Sequence, residues 1–376
     1  MADEPDIDTY ALTAAEVAEV AAPDLPYGPP LPRNYRPRIA LVGAGGISAA
    51  HLAAYRTVGF DVAVICNRTL AKAEARRDEY YPLAEATDDI AGTLARDDIE
   101  VVDLTPHPEI RLPMIEAALT AGKHVLSQKP FVTDLDAGQR MVDLADAQGV
   151  KLAVNQNGRW APYQSWLREA VAAGLLGQVQ GVESTMVWDH GWIGGTPFED
   201  IEDLLLYDFA IHRFDFLVGL IGGAATSVRA VTARAAGQTV RPALTGRVVV
   251  EYPGGLSAMT FDGAARFGPS DRLVVTGSAG TAVSEGADLN SHALTLTTAE
   301  GRARPALQGT WFHEGFIGCM GALLSAVETG NQPQNNAREN LATMALTLAA
   351  VASSRRGGGP VAPGEVRSLA QAMGTG

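Results

Sequence analysis

The sequence is poor in cysteine, in basic residues and in long apolar runs. Its 376 residues include only two cysteines, Cys66 and Cys319, which are too few for a disulfide framework or a cysteine-rich zinc site. Lys and Arg number 29 against 43 Asp and Glu, which gives a formal net charge of −14. So acidic a chain lacks the electrostatic footprint of a nucleic-acid binder or of a protein held on anionic lipid, and we expect neither partner.

Apolar runs are too short for a membrane span. The longest helical stretch of apolar character, Leu341–Ala352, falls below the about 18 residues that a crossing needs. No basic residue precedes Arg33, which is unlike a secretory signal, and we expect a cytoplasmic protein.

Metal ligands and a serine nucleophile are also missing from the sequence patterns. No histidine stands beside a cysteine or a second histidine at ligand spacing, so we expect no metal site. No Gly-x-Ser-x-Gly elbow occurs. The scattered histidines are His51, His107, His124, His190, His212, His292 and His313.

The chain does contain enough apolar material for two or three folded domains, since 47% of its residues are hydrophobic. Residues 1–36 differ from the rest. A capping box at Thr13–Glu16 predicts a short helix through about Ala21, and six prolines between Pro23 and Pro37 then favour an extended arm. The arm is either a loosely attached leader or a strap packed on another subunit.

Short apolar strands alternate with helices over residues 37–155, which predicts a doubly wound parallel sheet with right-handed crossovers. The predicted strands are Ile39–Val42, Asp61–Cys66, Val101–Leu104, His124–Leu126 and Lys151–Asn155, and the predicted helices are Ile47–Val58, Leu70–Glu79, Leu112–Ala121 and Asp134–Gln148.

Residues 156–376 follow a different pattern, in which several strands alternate polar and apolar residues. Such alternation predicts an open, mostly antiparallel sheet with one buried face. The predicted strands are Val179–Trp188, Ser227–Ala235, Gly246–Tyr252, Leu256–Phe261, Asp271–Thr276 and Ala293–Thr298, and the predicted helices are Tyr163–Ala173, Asp203–Leu220, Gly315–Thr329 and Ala337–Ser354.

A glycine-rich turn lies between the first predicted strand and the first helix. Gly43 permits a tight turn, and Gly45 lets the backbone approach a pyrophosphate that sits on the helix N–H groups. At the end of the second strand, Asn67 and Arg68 stand where an acid normally binds the adenosine ribose. The absence of a carboxylate permits NADP, and Asn67 can still bind a ribose hydroxyl of NAD, so the pattern leaves both cofactors open.

Three further motifs follow the glycine turn in order: Ala121–Pro130 with Gln128-Lys129-Pro130, Asn157–Pro162, and Asp208-Phe-Ala-Ile-His212. In this order and spacing the chain resembles the Gfo/Idh/MocA oxidoreductases from about Arg38 to Val361. The resemblance implies a Rossmann domain followed by an α/β domain with an open, mostly antiparallel sheet. It therefore divides the chain into an arm (1–36), a dinucleotide-binding domain (37–155) and a substrate-binding and oligomerisation domain (156–376).

The family oxidises or reduces a secondary alcohol or aldehyde carbon of sugars, sugar derivatives or cyclic polyols with NAD or NADP. Asp208 and His212 are four residues apart and should share one face of a helix. His212 then suits the role of general base, and Lys129 can polarise the reacting oxygen. Asp208 either orients the imidazole or holds a neighbouring hydroxyl.

The residues expected to touch the cofactor come from the glycine turn, the strand ends and the two motifs beside them. They are Gly43, Gly45, Gly46, Ile47, Asn67, Arg68, Thr105, Pro106, Gln128, Lys129 and Asn157.

Aromatic and polar side chains of the second domain are the expected sugar contacts, because aromatic faces suit the C–H faces of sugar rings. The candidates are Arg159, Trp160, Tyr163, His190 and Trp192. In the family the approach to the penultimate helix, here Trp311 and His313, also lies near the pocket.

The sequence departs from the family pattern at three places. The usual Glu-Lys-Pro is Gln128-Lys129-Pro130, which removes a negative charge beside the lysine. A histidine common after the fourth strand is replaced by Arg111, with His107 shifted upstream, and the glycine usual between the acid and the imidazole is Ala210.

The expected activity is therefore NAD(P)-dependent oxidation of a ring secondary hydroxyl of a sugar or glycoside, with C3 of a hexosyl glycoside as one candidate position. The alternatives are an inositol or simple aldose dehydrogenase, a cofactor-retaining enzyme with a net non-redox outcome, and a dinucleotide-binding regulator without catalysis. An open sheet with an exposed apolar face further predicts a homodimer or homotetramer.

Overall fold

A computed structural model describes residues 16–374. Its first sheet has six parallel strands in the order β3-β2-β1-β4-β5-β6 and confirms the Rossmann topology. The strands are β1 (Arg38–Val42), β2 (Asp61–Cys66), β3 (Glu85–Thr87), β4 (Val101–Leu104), β5 (His124–Gln128) and β6 (Leu152–Asn155). The helices between them are α1 (Gly46–Val58), α2 (Leu70–Tyr80), α3 (Ile90–Leu94), α4 (Pro108–Thr120) and α5 (Leu135–Ala147).

The central strands form because their apolar residues are covered on both faces of the sheet. β1 buries four of its five residues, and β4 is buried throughout. The sequence did not predict β3 or α3. β3 has three residues, none fully buried, so it carries no apolar run that a sequence pattern could reveal.

The second sheet has eight strands in the order β14-β13-β12-β11-β7-β10-β9-β8. All its neighbours pair antiparallel except β7 and β10, which confirms a mostly antiparallel sheet. Its strands are β7 (Val179–Val187), β8 (Ser227–Ala233), β9 (Thr245–Tyr252), β10 (Gly255–Asp262), β11 (Ser270–Gly277), β12 (Gly280–Gly286), β13 (His292–Thr298) and β14 (Gly301–Ala303). The sequence missed β12, which has glycine at both ends, and the three-residue β14.

Helices of the second half flank this sheet. They are α6 (Pro162–Ala172), α7 (Ile211–Ile221), α8 (Trp311–Thr329), α9 (Ala337–Arg355) and α10 (Leu369–Met373). Among the helices of residues 16–374, none combines the length and apolarity that a bilayer crossing demands.

The predicted helix Asp203–Leu220 is instead two elements. Residues Leu205–Phe209 form a π-helical turn, closed by the N–H of Ala210, which donates to the carbonyl of Leu205 at 2.8 Å. The regular helix α7 begins only at Ile211. Wide turns of this kind occur often at functional sites.

Helix α8 packs against the first sheet although it follows the second in sequence. Phe316, Met320 and Leu323 share an apolar cluster with Ile39 and Leu126 of the Rossmann strands. The helix approaches closely because Gly318 faces the ring of Trp160, and a Cβ there would overlap that ring.

The N-terminal arm is extended from its first described residue. Residues 16–21 are not helical, so the predicted helix is wrong for this part, and its start at Thr13 lies outside the described residues. Val20 donates its N–H to the carbonyl of Arg302 at 2.8 Å. Further along, the carboxylate of Glu328 on α8 accepts the backbone N–H groups of residues 33, 34 and 35 at 2.5–2.9 Å. The described arm therefore lies along its own chain, an arrangement that neither sequence alternative included.

Candidate active site

Lys129, which directly follows β5, contacts Asp208 near the end of the π-helical turn. The Lys129 ammonium donates to Oδ2 of Asp208 at 2.8 Å and to the carbonyl oxygen of the same residue at 2.9 Å. The two side chains are only 17% and 10% exposed. Because one residue supplies both acceptors, the ammonium is fixed in direction as well as in position.

The Asp208 carboxylate binds Lys129 in this structure. Among the described residues no hydrogen bond joins the Asp208 and His212 side chains, since the wide turn places Asp208 one register step away from a regular helix and its carboxylate binds Lys129. The structure thus brings Lys129 and Asp208 together directly and places His212 one helical turn further along.

His212 is a neutral, partly buried imidazole. Burial, reinforced by the positive charges of Lys129 and Arg213, holds the pKa of His212 well below its usual range. Its Nδ1 is buried without a hydrogen-bond partner in residues 16–374. The ring of Trp311, at the start of α8, stands perpendicular to it with the centroids 5.5 Å apart. His212 is therefore unprotonated at neutral pH, the form in which it can accept a proton.

A buried network stands behind His212. Arg213 pairs with Asp271, and the hydroxyl of Tyr163 donates to the same carboxylate at 2.9 Å. The Tyr163 ring stacks on His292 with the centroids 3.7 Å apart. Tyr163 is 1% exposed, so the structure places this expected sugar contact in the interior, where it supports Arg213.

Arg159 and Trp160 also lie in the core. Both ends of the Arg159 guanidinium donate to the carboxylate of Asp215 at 2.8 Å, and the side chain is 3% exposed. Trp160 is 3% exposed beneath α8. The structure does not bring either expected sugar contact to an accessible surface.

Trp192 lies at an accessible aromatic surface, and His190 is buried next to it, with the two ring centroids 6.4 Å apart. His190 is 9% exposed, and neither of its ring nitrogens has a hydrogen-bond partner within the described chain. Burial lowers its pKa to about 4. Its ring packs on Phe209 at 4.2 Å, next to Asp208, while Trp192 is 54% exposed and lies 5.6 Å from Phe198.

The glycine turn has the shape of a dinucleotide cradle. Gly43 adopts a φ of 102°, and a Cβ there would meet the hydroxyl of Thr105. In contrast, a Cβ on Gly45 or Gly46 would meet nothing within 4 Å. No side chain of the described residues caps the start of α1, so its first N–H groups remain available to a ligand, and the turn fits a pyrophosphate.

The polar side chains around the glycine turn differ in whether the protein itself binds them. Asn67 accepts the N–H of Ala44 at 3.0 Å and donates to the carbonyl of Thr69 at 3.0 Å, so it fixes the turn. Arg68 is exposed. Arg76 on α2, which the sequence analysis did not include, lies 3.4 Å from the carbonyl of Gly45 and is a second cation at this site.

The remaining expected cofactor contacts are structural neighbours of the cradle. Thr105 donates to the carbonyl of Gly43 at 3.0 Å, and Pro106 packs beside that glycine. Ile47 is half-buried in the first turn of α1. Gln128 is buried with its amide engaged on both sides, and Asn157 is 3% exposed beneath α8.

Arg111 fills the position at which the family often has histidine. It is fully buried and donates to the backbone carbonyls of Pro106 and Pro130, which lie at two strand ends. Burial lowers its pKa to about 10. Arg111 thus joins the two loops that frame Lys129, whereas His107 lies at the surface, 6.0 Å from Phe198.

The sequence analysis missed Phe198 and Phe209 besides Arg76. Phe209 adjoins Asp208 in sequence, but an isolated aromatic residue on a predicted helix usually belongs to the core. Phe198 lies in a loop whose path depends on its tertiary contacts. A basic residue on an exposed helix such as α2 likewise carries no signal of its own.

Comparison with known proteins shows the family of the chain. The profile "Oxidoreductase family, NAD-binding Rossmann fold" matches residues 37–156, and the "GFO/IDH/MocA C-terminal domain" matches residues 165–283. A D-apiose dehydrogenase of Paraburkholderia graminis is 26% identical over 85% of this chain and 88% of that protein. An inositol 2-dehydrogenase of Rhizobium meliloti is 26% identical over 84% of this chain and 96% of that protein.

A solved structure shares the fold over nearly the same range. The oxidoreductase from Agrobacterium radiobacter in complex with NAD+, L-tartaric acid and magnesium superposes with a TM-score of 0.79 at 20% identity, covering 88% of this chain and 99% of its own. The two family profiles together span more than half of the chain and include the glycine turn, Lys129, Asp208 and His212. The chain therefore belongs to the Gfo/Idh/MocA family of NAD-binding oxidoreductases.

Proposed function

We propose that this protein oxidises a ring secondary hydroxyl of a sugar or glycoside with a nicotinamide dinucleotide, NAD or NADP. The observation that carries the proposal is the pairing of a fixed ammonium, Lys129 on Asp208, with an unprotonated imidazole, His212, at the carboxyl ends of the Rossmann strands. Ligands bind at these strand ends in doubly wound sheets.

Two residues of the chain have separate roles, one in proton transfer and the other in stabilising negative charge. His212 accepts the proton of the reacting hydroxyl, and its low pKa keeps it ready to do so at neutral pH. Lys129 donates to the reacting oxygen and stabilises the negative charge that develops there. The N–H groups of the glycine turn, with Arg68 and Arg76 beside them, would hold the dinucleotide, which would supply the hydride acceptor. Oxidation of the alcohol to a ketone would thus place its hydroxyl proton on His212, with the hydride accepted by the dinucleotide that this turn would hold.

Sugar recognition is assigned to the aromatic surface around His190. Its unpartnered ring nitrogens suit hydroxyl groups, and the exposed ring of Trp192 suits the C–H face of a pyranose. Phe198, 5.6 Å from Trp192, extends this aromatic surface and suits an aglycone. This surface supports a glycoside as the substrate, and C3 of its hexosyl unit is the proposed position of oxidation.

An inositol or simple aldose is the second candidate, because the relatives named above act on inositol and D-apiose. A regulator without catalysis is disfavoured, since this chain keeps Lys129, Asp208 and His212 in a charged and pre-positioned arrangement. A cofactor-retaining enzyme uses the same residues and differs in whether the purified protein absorbs as reduced nicotinamide.

The exposed face of the second sheet is proposed as a self-association surface of a cytoplasmic homodimer or homotetramer. Leu256 and Val231 are 51% and 49% exposed there. Light scattering of the purified protein tests this, and a monomer at micromolar concentration contradicts it.

The decisive experiment screens hexoses, glycosides, pentoses and inositols with NAD and NADP and follows nicotinamide reduction. His212→Ala should lower turnover by roughly two to four orders of magnitude on the best substrate. His124→Asn is the matched control, because His124 starts β5 at the opposite end of the strand from Lys129, and an Asn oxygen can still accept the Lys151 N–H. Equal turnover of His212→Ala and the parent protein contradicts the assignment of the base.

A further inference from the structure

A buried chain of polar groups runs from the interior of the Rossmann domain to Lys129. His51 on α1 and Asp103 on β4 are both 0% exposed, and Nδ1 of His51 lies 2.7 Å from Oδ2 of Asp103. The hydroxyl of Tyr55 donates to the same oxygen at 2.8 Å. None of these groups belongs to the catalytic or cofactor set assigned above.

The other side of the imidazole faces two amide groups. Nδ2 of Asn155 lies 3.2 Å and Nε2 of Gln128 lies 3.0 Å from Nε2 of His51. Oε1 of Gln128 accepts the backbone N–H of Lys129 at 2.7 Å. A backbone N–H can only donate, so the Gln128 oxygen must face Lys129 and its NH2 group must face the imidazole.

This order of donors fixes the protonation of His51. Two amide NH2 groups point at Nε2, which therefore carries a lone pair, and the ring proton lies on Nδ1 toward Asp103. The complete chain runs from the Asp103 carboxylate through a neutral His51 and the Gln128 amide to the peptide N–H of Lys129.

We propose that Asp103, His51 and Gln128 form a positioning relay that sets the backbone of Lys129, and that glutamine at position 128 serves to keep His51 neutral. The relay acts on the lysine assigned under the proposed function and rests on that assignment for its catalytic effect. Lys129 must reach Asp208 and the substrate oxygen together, and a displacement of about 1 Å at such a group can cost on the order of a hundredfold in rate.

A glutamate at position 128, the residue common in the family, would require Nε2 of His51 to donate a hydrogen bond rather than accept one. Its carboxylate has no proton to donate, so it would face the lone pair on His51 unless the imidazole took up a second proton. Moving the single ring proton to Nε2 would instead turn the Nδ1 lone pair on the Asp103 carboxylate. The groups packed around that imidazole are Asp103, Tyr55, Asn155 and the ring of Phe316, 4.2 Å away on α8, with the Cys319 thiol next along that helix. None of them is a cation, so a charged His51 would be held only by the two carboxylates and lost at high pH.

The test compares three variants on the best substrate of the parent protein. Gln128→Met removes both hydrogen bonds and should lower kcat by about 10- to 100-fold, with the KM for the sugar changed less than about threefold. Gln128→Glu should retain most activity at about pH 6, and its kcat relative to the parent should fall at least about tenfold by about pH 9. Asn155→Ala, the matched control, removes the other donor to His51 but leaves the Lys129 contact, and should keep kcat within about threefold.

A spectroscopic measurement on the substrate-free protein separates failure of the relay from failure of the proposed function. With ¹⁵N-histidine labelling, the two ring nitrogens of His51 should show the neutral Nδ1–H form in the parent and the doubly protonated form in Gln128→Glu at about pH 6. A protonated ring in the parent, a Gln128→Met variant with unchanged kcat, or a flat pH ratio for Gln128→Glu overturns the relay. A parent protein that oxidises no alcohol overturns the proposed function, while the nitrogen shifts still decide the state of His51.

Discussion

Replacing His190 with phenylalanine should make the protein more stable and less active at the same time. The ring is 9% exposed, packs on Phe209 at 4.2 Å and leaves both nitrogens without a partner among the described residues. A buried polar group that lacks a hydrogen bond costs about 1–3 kcal/mol. Phenylalanine retains the ring stacking and removes that cost, so the free energy of unfolding should rise by about 1–3 kcal/mol near pH 8.

The difference should grow at acidic pH. Burial lowers the pKa of His190 from 6.5 to about 4, so the unfolded chain binds a proton below about pH 6.5 and the folded protein does not until about pH 4. The lowered pKa therefore leaves the free energy of unfolding unchanged above about pH 6.5. Below that pH, the free energy of unfolding falls progressively until about pH 4. At about pH 5 this loss amounts to about 2 kcal/mol, and His190→Phe should escape it.

Thermal melting and kinetics measure the two effects on one preparation. In a chain of 376 residues each kcal/mol moves the melting temperature by roughly 1 °C, so urea midpoints at about pH 5 and pH 8 are the more sensitive assay. The kcat/KM for the sugar should fall about 10- to 100-fold as a substrate hydroxyl loses its partner. His190→Gln is the control that keeps a polar group and should gain no stability. A phenylalanine variant that is less stable at both pH values, or that keeps the parent kcat/KM, refutes the reasoning.

Four further predictions address the other charged groups. The parent kcat should stay level from neutral pH upward and fall only in acid, because the pKa of His212 lies well below its usual range; a pH–rate profile centred near pH 7 contradicts this. Asp208→Asn should lower kcat by about 10²- to 10³-fold, because the Lys129 ammonium loses its charged partner and keeps only neutral oxygen acceptors, and an unchanged kcat in steady-state assays contradicts the pairing. Arg68→Ala should raise the Kd for NADP more than for NAD if the guanidinium binds the 2′-phosphate, while equal changes in a fluorescence titration indicate adenine stacking. Deletion of residues 1–36 should lower the melting temperature, because the Glu328 carboxylate loses three N–H donors, and calorimetry that shows no change contradicts this role of the arm.

The fold was predictable from the sequence wherever apolar residues carry a clear period. The buried strands β1, β2 and β4 and the alternating strands of the second sheet follow from this pattern. Short or polar elements such as β3 and β14 form only because a neighbouring strand offers free backbone groups, and that information lies elsewhere in the chain. The glycine turn was predictable because a backbone that approaches a pyrophosphate closely needs residues without side chains.

The site was predictable in its residue types but not in its pairings. The spacing of Asp208 and His212 predicts a shared helix face, but the π-helical turn directs the carboxylate to Lys129, 79 positions away. Arg159 and Tyr163 matched the chemistry of sugar binding, yet each satisfies a buried carboxylate. Such partners are distant in sequence, so one sequence alone does not reveal whether a polar side chain is engaged by the protein or left for a ligand.

The placement of α8 means that the dinucleotide-binding half is not a contiguous folding unit. A fragment ending at residue 283, where the second family profile stops, would leave Ile39 and Leu126 without the helix that covers them. The same helix begins with Trp311 against His212, so a single helix contacts both the Rossmann sheet and the proposed base. A chimera that takes its nucleotide-binding half from a relative would therefore have to include α8 of that relative as well as the Rossmann strands.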